Sequence, residues 1–158
     1  MQIAPANVGL KWQASASSRE TRERRHRARL AQIQSTQVVC GRGDRARVDT
    51  EATLIERACL LADELAAHAA TERGLEALSA LLRRVEEDPS PRTRDIRVFI
   101  EAVWECKPLP LAALRTPCEP AQADMLAVLD AWRHSRCVLA EQVEGGLARV
   151  ARAVERRR

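Results

Sequence analysis

Aromatic side chains are scarce in this chain: no tyrosine, one phenylalanine and three tryptophans among 158 residues. Few groups are therefore available to stack on nucleobases. Glycine and proline number only six and seven, and β-branched runs are nearly missing, which disfavours a turn-rich β fold. The sequence has no GxxxxGK[ST], no GxGxxG and no HExxH, so phosphate-loop, dinucleotide and metalloprotease readings lack support. No segment approaches the ~18 uninterrupted apolar residues of a membrane span. The opening MQIAPANVGL lacks the charged start and long apolar stretch of a secretory signal. Five cysteines, an odd number without tight pairing, suit reduced thiols better than a disulfide framework. These absences lead us to expect a soluble, cytoplasmic protein with no membrane partner.

Hydrophobic residues make up 46% of the chain, mostly alanine, leucine and valine. That is enough for one domain burying roughly 70% of its unfolded surface, and helix is the default for such a composition. Of the 26 basic side chains, all but Lys11 and Lys107 are arginine. Arginine forks onto phosphate or carboxylate as lysine cannot, although a GC-rich genome produces the same skew. The net charge of +4 conceals a sharper layout. Residues 1–47 hold ten basic and three acidic side chains (+7), residues 48–148 eleven and eighteen (−7), and residues 149–158 five and one (+4). The chain reads as an acidic body with basic ends.

We expect residues 1–48 to form a basic, partly disordered arm and linker, and residues 49–158 a helical domain. Ser17 or Ser18 can cap a helix running through RETRERRHRARL, but its arginines spread around the whole cylinder, so its first turns should fray. Asp49 or Thr50 then opens the body. Leu54, Ala58, Leu61, Leu65 and Ala69 recur at helical steps, as do Leu75, Leu78, Leu82 and Val85, and Thr71 and Gly74 suggest two helices joined near 70–73. Ser90–Pro91 starts the next helix, which runs to about Cys106 and buries Ile96, Phe99, Ile100, Val103 and Trp104. A proline-punctuated connection with one turn at 110–115 leads to a helix opening at Pro120, with Met125, Val128, Leu129 and Trp132 on its inner side. A last helix, about 138–156, presents Val143, Leu147, Val150 and Val154 inward. The fold class is all-α, a four- to five-helix bundle.

Three readings stay open for the arginine-rich arm: a grip on nucleic acid, docking to an acidic protein surface, or a solvated tail. The nucleic-acid reading names Arg19, Arg22, Arg24, Arg25, Arg27, Arg29, Arg42, Arg45 and Arg47. Arg149, Arg152 and Arg156–Arg158 could add to it from the other end. Trp12, isolated in the arm, is a candidate anchor in a partner groove. Cys106, Cys118, His134 and Cys137 could form a three-sulfur, one-nitrogen zinc set. Without a CxxC knuckle, buried small hydrophobes explain these cysteines more simply. Nothing ties His68 or His134 to a thiol as a catalytic base, and Glu86, Glu87 and Asp88 read as a solvated helix end. Arg42-Gly43-Asp44 matches an adhesion tripeptide by coincidence.

TERGLEALSALLRRVEED, RTRDIRVFIEAVWECKPLPLAALR and AQADMLAVLDAWRHSRCVLAEQ together resemble a small bacterial family of unknown function. The shared pattern falls on Gly74–Leu82, Val98–Glu105 and Ala123–Leu129, and the resemblance covers about residues 70–155. It departs from the family at Trp104, which stands where a longer aromatic pair is expected, and residues 1–50 have no counterpart. The resemblance implies a compact helical protein, often encoded on proteobacterial mobile elements, and supplies no activity, cofactor or catalytic residue. The expected function is non-enzymatic: an accessory protein that binds nucleic acid or a nucleoprotein complex through its arm. The alternative is an adaptor or inhibitor of a host defence complex that uses the acidic body.

Overall fold

A computed structural model describes residues 19–135 and 137–155 of the chain. Trp12, the Ser17/Ser18 cap and Arg156–Arg158 lie outside the described residues. Six helices and one small hairpin run in the order α1 (Arg19–Ser35), β1 (Val38–Cys40), β2 (Arg47–Asp49), α2 (Thr50–Glu87), α3 (Arg94–Glu105), α4 (Glu119–His134), α5 (Leu139–Gln142) and α6 (Gly146–Glu155) among the described residues. The all-α expectation holds.

The starts of the helices follow local chemistry. Asp49 caps α2, its carboxylate accepting from Ala52 N at 3.0 Å, and this satisfies an amide that the helix cannot pair internally. Ser90 Oγ accepts from Arg92 N at 3.3 Å, with Pro91 at the first position of a 3-10 turn that feeds α3. Another 3-10 turn, Leu111–Leu114, occupies the proline-rich connection, and α4 opens with Pro120 in its first turn.

The core lies where the C-terminal half of α2 meets α3, α4, α5 and α6. Leu81, Leu82, Val85, Phe99, Met125 and Val128 are fully enclosed there, and Val150 of α6 closes one side. Val103, Trp104 and Leu129 are only partly buried against this cluster. Trp132 is 59% exposed, so it is a surface residue. Its neighbour Ala131 takes the inward place at the α2 crossing, and one residue further rotates the side chain about 100° around the helix.

Three expectations about helix boundaries are corrected. First, α2 is one continuous helix through 70–73. No proline interrupts it, and Gly74 is needed for packing, because a Cβ there would overlap the Ala131 methyl and lie 3.0 Å from Ala127 O. The glycine costs about 1 kcal/mol of helix propensity and permits the close α2–α4 crossing. Second, the segment 138–156 is two helices, because Gly145 (φ +80) and Gly146 (φ +53) turn the chain through left-handed backbone. Third, the stretch 35–48 is a defined hairpin, with Val38, Val39 and Cys40 opposite Asp49, Val48 and Arg47.

The first half of α2 projects from this core. Between Thr53 and Ala70 no residue of α2 is fully buried. Leu54, Ile55, Leu61 and Leu65 are 61%, 60%, 42% and 48% exposed. The leucine stripe that predicts an amphipathic helix does form a helix, but most of that stripe faces outward.

Candidate functional site

The arginine-rich segment is a helix seated along α2. One stripe of α1 makes the contact: Arg22, His26, Arg29 and Ile33, at steps of four, three and four, the spacing that keeps residues on one helical face. Ile33 is 3% exposed and anchors the C-terminal end. At the other end Arg22 Nε and Nη2 donate to Glu72 Oε1 and Oε2 at 2.6 and 2.9 Å. Both side chains are mostly buried, and the two-pronged geometry holds the Glu72 carboxyl below its ordinary value and the Arg22 guanidinium above its own. Such a fork is among the stronger polar contacts. In between, His26 Nδ1 lies 2.9 Å from Glu64 Oε1, and its ring stacks on His68 at 3.9 Å with planes 7° apart.

A cleft of about 250 Å³ opens beside this seam, where α1, α2 and the end of α4 converge. All three histidines of the chain, His26, His68 and His134, line it, together with Arg25, Arg29 and Cys137. Glu64 and Glu72 supply its negative charge. His134 is turned towards Asp130, at 3.6 Å, and Arg133, while Cys137 Sγ sits 3.1 Å from Ser135 Oγ. Cationic and imidazole donors at the rim suit an anionic group entering from solvent.

The nine arginines named from the sequence are not equivalent. Arg22 is committed to Glu72 and leaves the set available to a ligand. Arg29 Nη1 donates to Gln32 at 2.7 Å, and Arg24 Nη2 to Thr21 at 3.2 Å. Arg19 and Arg27 reach Glu23 at 3.1 and 3.6 Å from largely exposed positions. Arg25, Arg42, Arg45 and Arg47 are exposed and make no ion pair among the described residues. At the other basic end, Arg149 donates from Nε and Nη2 to Glu86 at 2.7 and 2.8 Å, so it too is engaged.

The four-residue zinc set is not assembled. Cys118 precedes α4 and His134 ends it, which places about 24 Å of helix between them. Cys118 instead lies beside Arg84, 3.9 Å from Nη1. Cys106 ends α3 in a left-handed turn. Among the described residues no group of three or more histidine, cysteine or acidic side chains could hold a metal ion.

Sequence reasoning missed the histidine seam. Its signal was present in Glu64, His68 and Glu72, spaced at i, i+4 and i+8 on α2, facing Arg22, His26 and Arg29 on α1. Taking the arginines together, as a ring of charge, hid the one face on which they alternate with His26 and Ile33.

No helix among the described residues is long and apolar enough to cross a membrane. Residues 75–158, just over half of the chain, match the model of a family of unknown function, DUF7673, and the chain belongs to that family. The match takes in the bundle and leaves out α1, the hairpin and the projecting half of α2. Neither a curated protein nor a solved structure matches the chain.

Proposed function

We propose that this member of DUF7673 is a binding protein whose α1 face and hairpin tip dock onto the phosphates of a nucleic acid. One observation carries the reading: Arg25, Arg42, Arg45 and Arg47 are exposed with no carboxylate partner among the described residues. Exposed Arg83, Arg92, Arg94, Arg115 and Arg152 also make no ion pair among the described residues, but Arg42, Arg45 and Arg47 stand together within the six residues 42–47 of one hairpin. Leaving guanidinium groups unpaired keeps them available to a fork-shaped contact with phosphate. The scarcity of aromatic residues points to backbone contacts without base readout.

Salt dependence tests this directly. Full-length protein should bind labelled duplex or single-stranded nucleic acid with an affinity that falls steeply as salt rises. Replacing Arg25, Arg42, Arg45 and Arg47 by glutamine should lower the slope of log K against log salt by about three to four, since each duplex phosphate contact contributes about 0.9. No binding at low salt, or an unchanged slope in the variant, refutes the proposal.

A further inference from the structure

We infer that the projecting half of α2 is a self-association surface, on which a second copy of this chain docks antiparallel through the stripe Leu54–Ala58–Leu61–Leu65. With about 100° per residue, Leu61, Leu54 and Leu65 fall within about 40° of one another. Ala58, Ala62, Ala66, Ala69 and Ile55 widen the arc to about 140°. No charged side chain falls inside this arc between residues 54 and 69. The large members are about half exposed. An α-helix that is apolar over so wide an arc is ordinarily covered.

Nothing in the described chain covers it. The neighbouring quadrant of α2 is where α1 and the hairpin attach, through Arg57 Nε to Thr36 O, Thr53 Oγ1 to Val38 N, and Glu64 to His26. The bundle begins only at Ala70. The stripe is therefore a straight, apolar run on an extension, outside the shelter of its own core.

Two observations select a second copy as the occupant and set its direction. The first is spacing. Steps of four, three and four are those of a helix that meets another helix along a seam. An antiparallel two-fold places Leu54 against Leu65 of the second copy and Leu61 against Ala58 of the second copy, large against large at the ends and large against small in the middle. The second is charge. Exposed Glu51 and Arg73 stand at opposite ends of the same side of α2; Arg73 reaches Asp130 at 3.4 Å yet keeps its side chain 65% exposed. An antiparallel pairing brings each Glu51 towards the Arg73 of the other copy, whereas a parallel one sets like charges together. It also places the two bundles at opposite ends of the seam. Closed two-fold pairing is the common outcome for a self-complementary patch.

Sedimentation equilibrium of the full-length chain across about 1–100 μM, the range over which a small interface dissociates, should show a species of twice 17.6 kDa. Leu61→Glu should weaken the dimer by at least about tenfold, while at concentrations where both chains are monomeric its helicity and melting stay those of the parent, since Leu61 is outside the core. Leu54→Glu provides a second variant at the end of the seam. For direction, in a background with the five native cysteines, four of them exposed, replaced by serine, cysteines introduced as Glu51→Cys and Arg73→Cys on separate chains should cross-link to each other in mixed samples more readily than either does to itself. A chain that stays monomeric throughout assigns the stripe to another occupant and overturns the inference. A dimer indifferent to both leucine substitutions does the same. Because the readout is mass, its outcome is independent of nucleic-acid binding.

Discussion

Replacing Glu72 by glutamine should release the N-terminal half of α1 without unfolding the bundle. The carboxylate accepts two guanidinium hydrogen bonds, at 2.6 and 2.9 Å, with the Arg22 and Glu72 side chains 13% and 21% exposed. Hydrogen bonds to charged groups contribute about 1.5–3 kcal/mol. Residual solvent access favours the low end, about 1.5 kcal/mol, or roughly tenfold in the docked population. Among the described residues, the His26–Glu64 contact and the stacked imidazoles still hold residues 19–29, whereas residues 30–35 keep Ile33, whose burial is worth about 2 kcal/mol. A 17-residue helix has little stability of its own in water. Amide exchange should thus accelerate about tenfold over the first half of α1, less near Ile33, and not at all in α3 or α4. Limited trypsin cleavage after Arg24, Arg25 or Arg27 should quicken in proportion if opening is fast relative to cleavage. Equal loss of protection across the whole chain, or none in α1, would refute the reasoning.

Other perturbations give equally distinct outcomes. Acidification of the wild type should mimic Glu72→Gln: the carboxyl is held below its ordinary value of 4.5, so its contribution is complete above about that pH and disappears as pH falls through the lowered value. Amide exchange in α1 between pH 5 and pH 3, corrected for intrinsic rates, checks this. Gly74→Ala should destabilise the bundle by about 2 kcal/mol in urea unfolding, because the direct overlap of its Cβ with the Ala131 methyl puts overpacking at the upper end of about 1–3 kcal/mol, against a helix-propensity gain of about 1 kcal/mol. Cys106→Gly should stabilise the chain by about 1 kcal/mol in the same assay, since Cys106 holds φ +52 where a side chain is strained. Arg149→Ala should cost less than about 1 kcal/mol of thermal stability despite its short bonds, because Glu86 is 38% exposed and water screens the pair.

Local chemistry in the sequence determined much of the architecture. The Asp49 cap, the Ser90–Pro91 start, the turn at 110–115 and the buried positions Ile96, Phe99, Ile100, Met125 and Val128 depend on nearby residues and on helical period, and both are legible in one dimension. What the chain conceals is which apolar face finds a partner. Leu54, Leu61 and Leu65 line one face of α2 at helical steps, as Leu75, Leu78 and Leu82 do, yet only the second set is in the core. Gly74 reads as a weak point until Ala131 is placed against it, because its value lies in the space it leaves for another helix. The arginines of α1 read as one charged cylinder, and the three histidines as unrelated residues, until docking on α2 brings His26 onto His68 and Arg22 onto Glu72. Periodicity specifies a helix and its faces. The occupant of each face is set by contacts between residues distant in sequence, such as the 50-residue separation of Arg22 and Glu72, and only the folded chain supplies those.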